Sequence, residues 1–291
     1  MTKRLALALA VLVVAAGFAA TAARARPPVW VARSDTATVI LFGSLHVLPK
    51  DLDWMPRALA DGIAKSDEVW FELPMDSATQ KRVGRLARER GSFGPGESLS
   101  ASLTVDQRGR LARDAAKVGL SSDSLDSFKP WLADVILSLA LDEKSGAGGA
   151  TGVEARVHAI APDPTRERAF ETPEEQIAFL ADGPPEEQIA GLESTFDDIE
   201  GAATLYRRLV KAWMDADLKR LKRDVLDPIQ RKTPSLYARL ISERNARWTA
   251  TLEDRLRRRG TVVVVVGMGH LIGADGVPAR LRADGIAVEG P

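Results

Sequence analysis

Two similar stretches of sequence, residues 38–46 (TVILFGSLH) and residues 261–270 (TVVVVVGMGH), decide the fold of this chain. Each begins with a run of mostly β-branched, apolar residues, continues through a glycine and ends at a histidine. Uninterrupted apolar runs of this length are typical of strands that are buried on both faces, as in a sheet covered by helices. We therefore predict an α/β fold in which His46 and His270 each follow the end of a central strand.

The two histidines are candidates for one shared site. In open α/β sheets, ligands bind in the crevice beyond the carboxyl ends of the strands. A lone histidine at a strand end is more often a packed structural residue. Here the turn is repeated, and the chain has only three histidines. The repetition favours a site in which both imidazoles take part.

The first 25 residues have the pattern of an export signal. Lys3 and Arg4 precede an apolar stretch over 5–20, which is followed by the small-x-small pattern of 23–25. We expect cleavage after Ala25 and export to the periplasm. An uncleaved membrane anchor is the alternative, because the stretch approaches the length that spans a bilayer.

Composition limits the classes of function. Forty basic side chains balance forty acidic ones, so the chain lacks the positive charge expected of a general nucleic-acid binder, and we predict no nucleic-acid partner. Contact with a membrane is expected only through the N-terminal segment. The chain contains no cysteine, so a metal would have to be bound by nitrogen and oxygen ligands.

The coarse pattern predicts a single domain over residues 26–291. Strands are expected at 29–33 and 36–42, joined as a hairpin, and at 68–73 after a helix. A short edge strand is expected at 286–289. The sequence thus predicts a central sheet built from the N- and C-terminal segments, with a large, mainly helical insertion over 77–259 that covers it. Within this insertion Thr172 begins a helix with a capping pattern.

Two acidic residues accompany the histidines. Glu72 follows the predicted strand at 68–73, so it would lie beside His46 if the strands are parallel. Glu154 falls in the first turn of a predicted helix, where the helix dipole favours a carboxylate. Two histidines with one or two carboxylates suit Zn, Mn, Co or Fe as a divalent metal ion. The third histidine, His158, is expected to be structural or exposed.

Such a site would support hydrolysis. A bound metal polarises a carbonyl group and lowers the pKa of water, and Glu72 is either a ligand or the general base. Arg244 and Asn245 lie on a helix before the last core strand. A solvent-facing helix surface is the simplest interpretation of this pair, but a buried arginine could orient a substrate or stabilise an oxyanion.

The motifs together resemble those of the TraB/GumN family. The resemblance rests on both glycine-x-x-histidine turns and on five further stretches. These stretches are residues 71–73 (FEL), 129–131 (KPW), 152–154 (GVE), 171–176 (ETPEEQ) and 243–248 (ERNARW). They are spread over nearly the whole chain after the signal, and their order and spacing make the resemblance specific.

The resemblance implies a related α/β fold, similar to the erythromycin-esterase and ChaN group, and metalloprotease activity like that of the Tiki members. It implies site roles for His46, Glu72 and His270, and it supports the pair Arg244 and Asn245. The chain departs from the family pattern in having Glu154 where many relatives have aspartate.

The sequence therefore predicts an exported, metal-dependent hydrolase, most simply a peptidase acting on a peptide or other small substrate. Two alternatives stay open. One is a binding protein that holds haem or another ligand without turnover, and the other is a structural protein of the envelope.

Overall fold

The structure, a computed structural model, describes residues 26–49, 51–144, 152–161, 163 and 166–291. The predicted export signal lies outside the described residues. The strands are β1 (Val29–Arg33), β2 (Ala37–Ser44), β3 (Glu68–Phe71), β4 (Glu167–Ala169), β5 (Gly260–Gly267) and β6 (Ala287–Glu289). They form one six-stranded sheet in the order β4-β3-β5-β2-β1-β6.

Helices connect and cover the strands. The shorter ones are α1 (Arg57–Lys65), α3 (Leu99–Ser102), α5 (Ser122–Leu125), α7 (Val153–Ile160), α8 (Pro173–Ala181), α11 (Leu218–Leu221), α12 (Asp227–Lys232), α13 (Pro234–Tyr237) and α15 (Val277–Ala283). The longer ones are α2 (Ser77–Gly91), α4 (Val105–Lys117), α6 (Pro130–Lys144), α9 (Pro185–Asp198), α10 (Ala202–Met214) and α14 (Glu243–Leu256). The predicted α/β fold is confirmed.

Four neighbouring strands, β4, β3, β5 and β2, run parallel to one another. β5 pairs with β2 on one side and with β3 on the other, and β3 pairs with β4. β1 is antiparallel to β2, which confirms the predicted hairpin, and β6 is antiparallel to β1 at the edge. The carboxyl ends of β2, β3, β4 and β5 consequently lie along one edge of the sheet.

One strand lies within the segment over 77–259 that was predicted to be mainly helical. β4 consists of Glu167, Arg168 and Ala169, which do not form an apolar run. It pairs only with β3, so it is an edge strand and polar side chains are compatible with it. The sheet is therefore not built from the two ends of the chain alone.

The main hydrophobic core surrounds β5 and β2. All five valines of β5, Val262 to Val266, are at most 1 % exposed, which explains their uninterrupted apolar run. Phe42, Trp54 and Trp213 pack together with ring centroids 5.5–5.9 Å apart. A second apolar cluster lies among α4, α6 and α9. The helices of the insertion thus have a core of their own beside the sheet.

Local signals set the start of α8. The hydroxyl of Thr172 accepts the backbone N–H of Glu175, and the Glu175 carboxylate accepts the backbone N–H of Thr172. This reciprocal pair is a capping box, and it confirms the predicted helix start. Within the described part of the chain, no helix is both long and apolar enough to cross a membrane.

Candidate functional site

Each of the four parallel strands is followed by a polar residue of the site. His46 follows β2, Glu72 follows β3, Glu171 follows β4 and His270 follows β5. Because these strand ends lie on the same edge of the sheet, the turns after them meet. The sheet therefore brings together residues that are more than 200 positions apart in sequence.

His46, Glu72 and His270 converge on Gly267 at the end of β5. A Cβ atom built at Gly267 would lie 3.2 Å from Glu72 Oε1, 3.7 Å from a ring carbon of His270 and 3.9 Å from His46 Nε2. Nε2 of His270 is 3.7 Å from the same carboxylate oxygen of Glu72. The three side chains thus border one small space, as the strand-end argument predicts.

His46 is held by Glu154 from the other side of its ring. Nδ1 of His46 lies 2.7 Å from Glu154 Oε1, which also accepts a 2.6 Å hydrogen bond from Ser44. The side chain of Glu154 is 15 % exposed, whereas that of His46 is 72 % exposed. The imidazole of His46 is consequently fixed at Nδ1 and open to solvent elsewhere.

The Glu154 interaction depends on a close approach of α7 to the turn after β2. A Cβ atom at Gly152, which precedes α7, would lie 2.1 Å from the carbonyl oxygen of His46. The backbone N–H of Val153 also donates to the carbonyl of Leu45. Only glycine at position 152 allows the first turn of α7 to come this near.

His270 is held by Asn245 of α14. Nδ1 of His270 lies 2.7 Å from the Asn245 side-chain oxygen, and the Asn245 amide nitrogen donates to the carbonyl of Asp275 at 2.8 Å. Because a carbonyl only accepts, the second bond fixes which end of the amide faces His270. Nδ1 of His270 therefore carries the hydrogen, and Nε2 presents a lone pair towards Glu72.

Arg244 joins two carboxylates behind the histidines. Its guanidinium donates to Glu72 Oε2 at 2.5 Å and to both oxygens of Glu171 at 2.7 and 2.8 Å. A third donor goes to the carbonyl of Leu240. Trp248 donates to Glu171 as well and packs against the ring of His270. The side chain of Arg244 is only 7 % exposed and every one of its nitrogens has a partner.

The charges at the site follow from these contacts. Burial disfavours the Glu72 carboxylate, but the charges of His270 when protonated, of Arg244 and of His46 outweigh it and lower the pKa of Glu72 to about 2. Burial lowers the pKa of His270 to about 4 despite the nearby Glu72. The hydrogen bond and the charge of Glu154 raise the pKa of His46 to about 9. At neutral pH the metal-free site therefore holds a neutral His270 beside ionised Glu72 and protonated His46.

All six predicted site residues belong to this one cluster: His46, Glu72, Glu154, Arg244, Asn245 and His270. No role for Glu171, Ser44 or Gln176 was predicted, although each is in contact with a predicted residue. The signal for Glu171 was its position directly before the helix cap at Thr172. Its strand, β4, was not predicted, so its place at the strand-end edge could not be inferred. The third histidine, His158, lies apart and contacts Glu167 at 2.6 Å.

The residue types at the site are those that bind divalent metal ions. Two imidazoles and a carboxylate are suitable ligands, and metal-binding histidines usually donate their second ring N–H to an oxygen acceptor. His46 and His270 both have such an acceptor at Nδ1. Among the described residues, however, no group of three or more His, Cys, Asp or Glu side chains is arranged to hold a metal ion as it stands. The residue types and the ring orientations fit a divalent metal, but the side chains would have to rearrange to bind one together.

These features define a class: an α/β protein with a histidine and carboxylate cluster at the carboxyl edge of a parallel sheet. The chain belongs to the TraB/PrgY/gumN family, whose sequence model matches residues 28–290. Searches of curated proteins and of solved structures give no significant match.

Proposed function

We propose that this protein is a divalent-metal-dependent hydrolase that most readily acts on peptide bonds. The observation that carries the proposal is the shared orientation of the two histidines. Each is held at Nδ1 by an oxygen acceptor, and Nε2 of each borders the space beside Glu72. A purely structural pair of turns does not need this arrangement.

His46, His270 and Glu72 would hold the metal, which would supply Lewis acidity and lower the pKa of a water molecule. Glu154 lies at Nδ1 of His46, on the far side of the ring from Glu72, so we assign it the positioning of His46 rather than the predicted role of ligand. Asn245 likewise positions His270. Both are typical of the acceptors that orient metal-binding imidazoles.

Arg244 is also assigned a positioning role. Four of its five N–H donors are engaged by Glu72, Glu171 and a backbone carbonyl, and its side chain is buried, so we assign it the orientation of Glu72 rather than contact with a substrate or an oxyanion. Instead, Arg244 keeps Glu72 ionised and fixes its orientation. An ionised Glu72 suits either a ligand or a general base, the two roles that the sequence left open.

Access to the site supports turnover rather than burial of a permanent ligand. His270 is 6 % exposed and lies at the inner side, while His46 is 72 % exposed at the outer side. A substrate would approach over His46.

We further propose that the protein is exported to the periplasm after removal of residues 1–25, which N-terminal sequencing of the protein from whole cells would test.

Elemental analysis of the purified protein tests the metal site. The double variant His46→Ala/His270→Ala should lose a divalent metal that the parent binds near one equivalent. The matched control is His158→Ala, which removes the remaining histidine away from the site and should keep the metal. A mixture of random peptides, incubated with each protein and analysed by mass spectrometry, then reports cleavage.

Three results would contradict the proposal. Equal metal contents of the parent and the folded double variant would exclude His46 and His270 as ligands. Stoichiometric colour from a bound chromophore without hydrolysis would favour the ligand-binding alternative. Full thermal stability that is indifferent to added metal, with no cleavage, would favour a structural protein.

A further inference from the structure

A cavity of about 200 Å³ lies between α6, α9 and α10. The hydroxyl of Tyr206, which lines the cavity, is 3.5 Å from the carbonyl oxygen of Val47, the residue after His46. Asp142 lines the same cavity, and its charge acts on the imidazole of His46. The cavity therefore opens beside the residue over which a substrate would approach.

The lining of the cavity combines an apolar wall with two carboxylates. Leu141, Leu205 and Leu209 supply the wall, and Asp142 and Asp198 supply the charges. Within the described part of the chain, neither aspartate forms an ion pair or a side-chain hydrogen bond. Burial raises the pKa of both carboxyl groups. A partly buried carboxylate without a direct partner, such as that of Asp142, favours binding of a cation.

Two lysines near the cavity, Lys117 and Lys232, are already engaged in ion pairs. Lys232 acts on Asp198 from a distance, but its ion pair is with Asp197 at 3.2 Å. Lys117, which lines a neighbouring cavity, pairs with Asp114 and Glu200. Within the described part of the chain, Asp142 and Asp198 therefore have no direct ion pair, and the charges of His46 and Lys232 act on them only from a distance.

We propose that this cavity is a subsite for a lysine or arginine side chain of the peptide substrate, with Asp142 as the residue that determines this specificity. The inference rests on the proposed function of the neighbouring site. Lysine and arginine have an alkyl stem that packs on apolar surface and a charged end that stays with polar groups. The leucine wall and the two aspartates match these two parts.

Binding of fluorescent heptapeptides to the metal-free, full-length protein tests the subsite. One lysine is placed in turn at each of the five inner positions of an alanine-rich peptide. Each peptide has a norleucine counterpart, which keeps the stem and removes the charge, and a glutamate counterpart. For at least one position we expect the lysine peptide to bind about 5- to 10-fold more tightly than its norleucine counterpart, as for a partly desolvated ion pair.

Three variants identify the residue responsible. Asp142→Asn should remove the preference for lysine, and Asp142→Lys should transfer it to glutamate. Asp61→Asn, which removes the same charge from an exposed ion pair with Arg57, is the matched control and should keep the preference. The inference is overturned if the wild type does not distinguish lysine from norleucine, or if Asp142→Asn retains the difference.

Hydrolysis of the same peptides with added Mn²⁺ or Zn²⁺ separates this inference from the proposed function. Selective binding without cleavage by any metal form would support the cationic subsite and contradict the hydrolase. Cleavage at equal rates for lysine and norleucine peptides would support the hydrolase and contradict the subsite.

Discussion

The side-chain oxygen of Asn245 lies 2.7 Å from Nδ1 of His270, and the other end of the same amide is fixed by the carbonyl of Asp275. Asn245 is fully buried. One residue of α14 thus sets the tautomer of an imidazole that follows β5, so the orientation of His270 depends on helix packing as well as on its own turn.

Replacement of Asn245 by alanine should weaken metal binding while the protein stays folded. The loss of the acceptor at Nδ1 is expected to lower metal affinity by about 10- to 100-fold, and the unpaired groups should lower the free energy of unfolding by about 1–3 kcal/mol. Metal titration and urea denaturation measure the two effects. Asn245→Asp, which keeps an acceptor for Nδ1, should retain more affinity; unchanged affinity in a folded Asn245→Ala variant would contradict the assigned role.

The metal-free protein should be most stable near pH 6.5. The pKa of His270 falls from 6.5 to about 4 on folding, so the unfolded chain binds more protons and stability is lost as the pH falls from 6.5 towards 4, on the order of 3 kcal/mol in total. The pKa of His46 rises to about 9 on folding, so the folded protein binds the proton more tightly than the unfolded chain. This stabilisation is complete below pH 6.5 and is lost as the pH rises towards 9.

Chemical denaturation at pH 5, 6.5 and 9 in the presence of a chelator measures this profile. His270→Gln should reduce the loss of stability below pH 6.5 only. His46→Gln should reduce the loss of stability above pH 6.5 only. If folded His270→Gln loses as much stability between pH 6.5 and pH 5 as the parent does, other groups cause the loss.

Arg244→Lys should destabilise the protein although the charge is kept. A lysine has a single ammonium group and cannot donate to Glu72 and to both oxygens of Glu171 in the fixed geometry of a guanidinium. We expect a loss of about 2 kcal/mol or more, as for charged hydrogen bonds left incomplete in a buried network. Arg247→Lys, an exposed change three residues along the same helix, is the control and should change the free energy of unfolding by less than about 0.5 kcal/mol.

Gly152→Ala should separate α7 from the turn after β2. The new methyl group would meet the carbonyl of His46 at 2.1 Å, so one of the two backbones must shift, at a cost of about 1–3 kcal/mol. The shift should also weaken the contact between His46 and Glu154 and lower the pKa of His46, which NMR titration of the imidazole measures.

Gly84→Ala is the matched control, because a Cβ atom within α2 at position 84 meets only a distant arginine side chain. That change should stabilise the protein by about 0.5–1 kcal/mol. A Gly152→Ala variant with an unaltered His46 pKa would contradict the proposed dependence on close approach.

The parts of the fold that were predictable have a local sequence pattern that reflects how the residues are buried or how the strands are ordered. The uninterrupted run of valines in β5 predicted a strand buried on both faces, and the valines are buried in the structure. Glu72 was placed next to His46 by the argument that β2 and β3 are parallel, and the structure brings both to Gly267.

The parts that were not predictable depend on distant partners. β4 is polar because it is an edge strand, and its three residues carry no periodic signal. The role of Arg244 depends on two carboxylates that are 73 and 172 residues away, and no local pattern distinguishes such an arginine from one on a solvent-facing surface. The contact of Glu154 with His46 likewise arises from the approach of α7, which sequence spacing does not define.

The position of β5 in the sheet has a consequence for the order of events during synthesis. β5 is the only strand that pairs with both β2 and β3 within the described sheet. Until residues 260–267 have left the ribosome, the β1-β2 hairpin and the β3-β4 pair share no strand between them, and His46 and Glu72 have no common edge on which to meet. A nascent chain would therefore carry the separate pieces of the site without the site itself until β5 has formed between them.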